Sequence, residues 1–346
     1  MKIAKDPLVS FCVATFKRTN LLKKTLHSIL SQTYKNIEIV VCDNDPYGSS
    51  QNVIKKINSQ KIRYFKNKKN IGMVKNFNIA FSYSKGDFIV FCADDDPVEK
   101  NMIKILMKLY KKYPNCGSYF GASNILIKEK KIAKKLKINL GKNSRADKFR
   151  KKGKVDLFDS DKFEDNFFSY NILPYMLWSA GMTKRNIVKK IKGMPDYGSP
   201  FLTDYAYIVS IGKVAKMCVI NKELASQTVH SGNFGRSDED LNNIFNGIKS
   251  FHRFILKKIP DKKDLLENFL SDWVASHLLS VINLSDKNIK NEITNTFMFL
   301  KKKFPFLKKQ QNKFLIYRDF PLIGFLIFNS IAYINIFFNK MIRKSH

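Results

Sequence analysis

Residues 91–100 read FCADDDPVEK, three consecutive aspartates directly after an apolar run. Adjacent carboxylates repel, so Asp94, Asp95 and Asp96 need something to offset their charge. A hard divalent cation takes oxygen ligands, keeps several waters and bridges one or two carboxylates to substrate phosphates. In an extended segment alternate side chains share a face, which would point Asp94 and Asp96 one way and turn Asp95 aside. A metal held there would grip a diphosphate and stabilise the charge that develops as it leaves. The competing reading is an acidic helix entry, because carboxylates favour a helix N-terminus.

The elements around these residues weigh between the two. LVSFCVA (8–14), IEIVVC (37–42), KIRYFK (61–66) and DFIVFCA (87–93) are short apolar runs of the strand type. Helical patterns separate them at 19–32, 49–59 and 72–84. The first carries Leu22, Leu26, Ile29 and Leu30 at helical spacing, with Thr19 or Asn20 as cap. Such alternation predicts a parallel sheet covered on both faces. Ligands of these sheets bind outside the carboxyl ends of the strands. That rule selects Thr15 and Phe16, Asp43 to Asp45, Asn67 to Asn70 and the three aspartates. Each group alone is ordinary loop chemistry; gathered at one edge they favour a single site and the metal.

Farther along, 97–113 reads as a helix with Pro97 in its first turn, and 117–128 as a strand. Residues 128–155 are dense in lysine and arginine and are expected to form a mobile surface loop, either merely solvated or facing an acceptor or a membrane. Order returns at 169–191. A helix starting near Thr203 and then a strand follow over 201–220, TVHSGNFGR (228–236) is a polar loop, and the pattern is helical from about 238.

The 346 residues, 44% of them hydrophobic, suffice for a large domain with an appendage and exclude a disordered chain. Lys and Arg number 62 against 29 acids, a formal charge of +33. Nucleic acid, an anionic membrane face or a lysine-rich background would each explain it. Lysine dominates and is the poorer bidentate reader of bases and phosphates, and the strand-end acids would repel a polynucleotide, so no nucleic-acid partner is expected. Cys12, Cys42 and Cys92 lie in strand runs, and the five cysteines form no CxxC pair. This fits a reducing cytosol and no disulfide framework. The short N-terminal apolar stretch runs into Lys17, Arg18 and Thr19, unlike a signal peptide.

VSFCVATFKRTNLLKKTLHSILSQTYKNIEIVVCDN, then NIGMVKNFNIAF and GDFIVFCADDD, resemble in order the nucleotide-sugar-binding half of family two glycosyltransferases of the GT-A fold, the type that builds bacterial surface polysaccharides. The resemblance is specific over about residues 8–100, looser to about 235 and absent beyond. It implies an α/β, Rossmann-like, mostly parallel sheet with helices on both faces in a domain 1–235. Within it 1–100 would bind the nucleotide sugar and 101–235 would face the acceptor, and 236–346 would be a helical region. It implies that Ala14, Thr15 and Phe16, with Arg18, contact the nucleotide and that Asp43 recognises base or ribose. Asn70, Gly72, Lys75 and Asn76 would line that pocket. Asp94 and Asp96 match the DxD motif that holds Mn2+ or Mg2+, with Asp95 on the donor. Many relatives carry D-x-D-D where this chain has Ala93 before three aspartates, so the frame is open and Asp95 could share the role of Asp94.

Transfer to a hydroxyl needs that hydroxyl deprotonated as it attacks, and a positioned carboxylate supplies about 10²–10⁴-fold. PFLTDYAYI resembles the family's later acidic position, which assigns the base to Asp204. Thr203 stands where relatives often have Glu, and plain helix capping is the alternative for Asp204. His230 resembles a histidine near the diphosphate, as metal ligand or phosphate partner, or is structural. Trp178 and Met182 lie where relatives build the acceptor pocket, or belong to the core. Finally, FPLIGFLIFNSIAYINIFF (320–338) approaches the roughly 20 residues that cross a bilayer. Polar interruptions and the basic flanks Lys308, Lys309, Lys340, Arg343 and Lys344 suit an interfacial helix better than a span, and a packing helix is the other reading.

The expectation is a metal-dependent inverting glycosyltransferase at the inner face of the cytoplasmic membrane. It would move sugar from a UDP-sugar or similar nucleotide-diphosphate donor to a saccharide hydroxyl. The acceptor would be a lipid-linked glycan for capsule, O-antigen or lipooligosaccharide. A degenerate glycan- or nucleotide-binding relative, suggested by Ala93 and Thr203, and a basic nucleic-acid binder are the alternatives.

Overall fold

A computed structural model describes residues 6–136, 138–148, 150–172, 177–230, 233, 241–284 and 289–319. The four apolar runs form strands β1 (Val9–Thr15), β2 (Ile37–Asp43), β3 (Ile62–Lys66) and β4 (Phe88–Ala93), joined by helices α1 (Thr19–Leu30), α2 (Gln51–Ile57) and α3 (Met73–Tyr83). They lie parallel in the order β3-β2-β1-β4. Every residue of β1 is buried, which is why its sequence is mostly apolar and does not alternate with exposed polar residues. Ala14 pairs with both Cys42 and Ala93, and Thr15 with Asp43. The three carboxyl ends are therefore level, and the loops leaving them share one edge.

The chain continues as α4 (Met102–Lys112), β5 (Ser118–Ile127), α5 (Lys130–Leu136), β6 (Gly141–Ser144), β7 (Val155–Phe158), α6 (Phe163–Phe168), β8 (Gly181–Lys184), α7 (Arg185–Lys190), α8 (Thr203–Gly212) and β9 (Met217–Val229). The full sheet runs β3-β2-β1-β4-β8-β5-β9-β7, with β6 beside β5. β8 is antiparallel to β4 and β5, β7 to β9 and β6 to β5, while β5 and β9 are parallel. So β1 to β5 and β9 point one way and β6 to β8 the other. The sheet is mixed but mostly parallel, as read from the sequence.

Two expectations change. Residues 97–101 are not the first turn of α4. The Pro97 carbonyl accepts from the Ser226 backbone at 2.9 Å, and Val98 bridges to Ala225, so this segment runs along β9 and the helix starts at Met102. Residues 128–155 are not a loop throughout. They hold α5, β6 and the start of β7, because Ile132 buries against Ile127 and Val229 beneath the lysines.

Beyond β9, helices α9 (Leu241–Leu256), α10 (Lys263–Leu284), α11 (Lys290–Lys303) and α12 (Gln311–Asp319) pack against the sheet domain. Phe269 of α10 seats its ring 5.0 Å from Phe168 and 5.4 Å from Tyr205. One continuous apolar core reaches from β1 to Phe314. No helix among the described residues is long and apolar enough to cross a membrane. The 320–338 segment lies outside the described residues.

Candidate active site

β4 ends at Ala93 and the chain turns at once, with the Asp96 backbone N–H donating to the Ala93 carbonyl at 3.2 Å. The alternation expected of an extended strand therefore does not apply. Asp94 turns beneath the edge, where its Oδ2 accepts from Thr15 Oγ1 at 2.7 Å and its Oδ1 lies 2.8 Å from Arg18 Nη2. Thr25 of α1 anchors the same turn by donating to the Asp94 carbonyl at 2.9 Å. Asp95 Oδ2 gathers Arg18 Nη1 at 3.0 Å, His230 Nε2 at 3.1 Å and Asn233 Nδ2 at 3.2 Å. Asp96 Oδ2 accepts from Ser179 Oγ at 2.6 Å.

Three buried carboxylates thus crowd around the Arg18 guanidinium. Burial pushes Asp94 up to about 7, against the pull of Arg18. Burial and the repulsion of Asp95 raise Asp96 well above the usual carboxylate range. Burial also disfavours ionised Asp95, but the His230 hydrogen bond and the Arg18 charge outweigh it and hold that carboxyl low. Clustered acids with divergent pKa values are a mark of functional sites.

Asp95 and Asp96 open into a cavity of about 420 Å3, and Arg18, Trp178, Asp204 and Asn233 line the same space. Asp204 is in the first turn of α8, half-buried, with its Oδ1 accepting from the Tyr205 backbone at 2.9 Å. Burial pushes its carboxyl up to about 6, opposed by those backbone hydrogen bonds and by Arg145. Just before α8, Leu202 takes a left-handed φ of 62°, a strained conformation for a bulky residue. Its backbone carries the chain into the helix at the cavity wall.

The other expected residues divide. Phe16 is 38% exposed in the loop after β1 and does not line the cavity. Ala14 is buried in β1. Asp43 is fully buried, with Oδ1 accepting from the Asp45 backbone at 3.0 Å and Oδ2 from the Ser50 backbone at 3.0 Å and Tyr64 Oη at 2.9 Å. It holds the turn after β2 and is no part of the cavity lining. Asn76 ties strand ends together by donating to the Cys42 carbonyl at 2.8 Å. Asn70 Oδ1 accepts from Asn44 at 2.6 Å and from the Gly72 backbone at 3.0 Å. Gly72 needs its freedom, since it enters α3 with φ 86°. Lys75 is exposed on α3 and Met182 is fully buried in β8. Neither lines the cavity.

Several lining residues had no local signal. Arg145, whose Nη1 donates to Gln227 at 3.0 Å, comes from the lysine-rich stretch. Trp273, Ser276 and His277 come from α10, where the Trp273 and His277 rings stack 4.6 Å apart. Asn233 sits in the quoted TVHSGNFGR loop beside His230, and its amide character was the available clue.

The model described as glycosyl transferase family 2 matches residues 10–190, more than half of the chain. The chain belongs to glycosyl transferase family 2. Among curated relatives, a UDP-Glc:alpha-D-GlcNAc-diphosphoundecaprenol beta-1,3-glucosyltransferase of Escherichia coli is 37% identical over 89 residues, 26% of this chain and 36% of that protein. A GalNAc(5)-diNAcBac-PP-undecaprenol beta-1,3-glucosyltransferase of Campylobacter jejuni is 32% identical over 105 residues, 30% of this chain and 34% of that protein. The match thus spans about a third of each relative. The solved structure of S. aureus TarS 1–349 superposes with a TM-score of 0.55 at 13% identity, covering 90% of this chain and 87% of that one. The same protein in complex with UDP-GlcNAc gives 0.52 at 14% identity, covering 90% and 87%. At that identity the likeness establishes the GT-A type fold with its C-terminal helices.

Proposed function

We propose that the chain is an inverting glycosyltransferase that moves a sugar from a nucleotide-diphosphate donor, with UDP as the nucleotide, to a saccharide hydroxyl of a lipid-linked acceptor. The observation that carries this reading is the meeting of Asp95, Asp96 and Asp204 in one cavity at the carboxyl edge of the sheet. The donor class is supported by the UDP-sugars in the names of the E. coli relative and the TarS complex. The lipid-linked acceptor is supported by the undecaprenol diphosphates in the names of the two curated relatives. The product would enter surface-polysaccharide synthesis, on the cytoplasmic side, with the protein in peripheral contact with the membrane. Residues 1–235 would form the transferase domain and the helices beyond would complete its acceptor side.

The residues fit a bound divalent cation. Among the described residues no three His, Cys, Asp or Glu side chains converge as ligands of one ion. Mg2+ and its like need only one or two carboxylates when waters and phosphates fill the remaining positions. Asp95 and Asp96 provide that pair, with His230 beside Asp95, and the burial and mutual repulsion that disfavour the ionised Asp96 are what a cation would offset. When bound, Mn2+ or Mg2+ would lower the energy of the departing diphosphate. Arg18 adds a fixed positive charge at the same place.

The acceptor hydroxyl attacks the anomeric carbon, the bond from that carbon to the diphosphate oxygen breaks, and the hydroxyl proton passes to Asp204. A carboxyl raised toward neutrality is a better proton acceptor than an ordinary aspartate. Trp178, Trp273 and His277 give the cavity apolar and aromatic walls that exclude water and offer a surface to sugar rings.

The test offers the purified protein UDP-, GDP- and dTDP-sugars with Mn2+ or Mg2+ and detects released nucleoside diphosphate. One donor should be consumed, with release abolished by EDTA and by Asp96→Ala. Undiminished release in Asp96→Ala would overturn the assignment of the acidic cluster.

A further inference from the structure

A second concavity, of about 390 Å3, shares no lining residue with the acidic site and lies between the end of α9 and Phe304, the residue that follows α11. Lys249, Arg253 and Lys257 line it together with His252, Leu256 and Phe304. The three basic residues recur every four positions, Lys249 and Arg253 on α9 and Lys257 one residue past its end, so they form one stripe. All three are exposed, and among the described residues no carboxylate pairs with any of them. Apolar surface adjoins the stripe. The Phe245 ring sits 5.5 Å from Phe304 and 5.7 Å from Phe299, and Phe299 is 48% exposed. Lys249 and Lys303 stand over the Phe245 and Phe299 rings at 5.8 Å and 5.9 Å.

We infer that this face is a docking surface for an anionic bilayer. It deepens the peripheral membrane contact proposed above and rests on that reading. Lysines around exposed aromatic rings suit the boundary between headgroups and acyl chains, where the charge meets anionic lipid and the rings enter the interface. Mostly lysine, the face offers point charges rather than the bidentate forks suited to reading single phosphates. Arg318, next to the last residue of α12, donates to Thr294 of α11 at 2.8 Å, which ties α12 to the helix that carries Phe299.

The test is co-sedimentation of the full chain with vesicles of phosphatidylcholine and phosphatidylglycerol in equal parts, and of phosphatidylcholine alone. Net charge by itself would bind anionic vesicles, so the variants must separate place from charge. Lys249→Glu/Arg253→Glu/Lys257→Glu should weaken partitioning by about tenfold or more. Lys55→Glu/Lys56→Glu/Lys104→Glu, the same charge change on α2 and α4, which do not line this concavity, should weaken it by less than about threefold if place rather than net charge decides binding. Phe299→Ser removes an exposed ring without altering charge and should also reduce binding. Equal losses in the two triple variants, or no preference for anionic vesicles, would overturn the inference. So would a polynucleotide that competes for the groove as well as the vesicles do. Donor cleavage without vesicles should be unchanged in the groove variant. If the wild type cleaves no donor, the proposed reaction falls while the partition result still decides the surface.

Discussion

At the scale of single residues, Asp204 carries two opposed consequences of one environment. Its carboxyl is pushed up to about 6 by burial, against about 3.9 in an unfolded chain. As pH rises from about 4 to 6 the unfolded chain loses this proton before the folded one, so folding is progressively disfavoured. Above pH 6 the folded state carries a cost of roughly 1–3 kcal/mol. Asp204→Asn should therefore raise the unfolding free energy at pH 7 by an amount of that order, read as a higher urea midpoint, and change it little near pH 3.5, where the carboxyl is mostly protonated in both states. The same substitution should lower transfer by about 10²–10⁴-fold. In the wild type, kcat/KM should fall as pH drops through about 6, because the base must be ionised. Full turnover in Asp204→Asn would remove Asp204 from the reaction, and a stability change of the opposite sign would remove the account of its pKa.

At the scale of elements, α5 shows what patterning reveals and what it hides. Lys130, Lys131 and Lys134 fill the exposed positions of this short helix, with Lys135 half-buried, and make the stretch look solvated throughout. Yet Ile132 is buried in a small cluster with Ile127 and Val229, and Ala133 and Leu136 pack against it. Ile132→Ala should cost about 2 kcal/mol, the lower end for a buried aliphatic truncation at a small cluster. Amide exchange across 130–136 should quicken, while exchange in β1 and β4 stays slow. Equal acceleration in all three would mean that α5 belongs to the main cooperative unit. β1, β2 and β4 were legible because their apolar runs are buried almost throughout, and α1 and α3 because their apolar spacing matches a buried face, whereas β3 and α2 rest on the strand–helix alternation alone. Pro97 misled because a tolerated helical position is not a required one, and the bonds that hold it come from β9, far along the chain. The site divides on the same line. Thr15, Arg18 and the three aspartates follow from the strand-end rule or adjoin a residue it selects. Arg145, Trp273 and Ser276 reach the cavity only through tertiary packing, which leaves no periodic trace.

At the scale of the whole molecule, the question is whether the helices after β9 form a separate unit or finish the one that precedes them. Rings cross between the two regions repeatedly: Phe269 meets Phe168 at 5.0 Å, and Tyr197 stacks with Phe254 at 5.0 Å. Trp273, Ser276 and His277 also wall the cavity that holds the acidic cluster. An apolar boundary of this kind is a cut through a core, and cutting it would expose aromatic surface on both sides. The chain contains two tryptophans, and they fall on opposite sides of that boundary. Trp178 precedes β8 and Trp273 lies in α10. Trp178→Phe and Trp273→Phe therefore each leave one reporter, Trp273 for the helices and Trp178 for the sheet domain. If the chain unfolds as one unit, each variant's own fluorescence transition in urea should coincide with its far-UV circular dichroism transition, with equal m-values. Loss of the Trp273 signal at lower urea than the ellipticity would show that the helices detach first. In that case the cavity would lose its α10 wall while the aspartates remained in place, and donor binding should outlast acceptor binding as urea is raised.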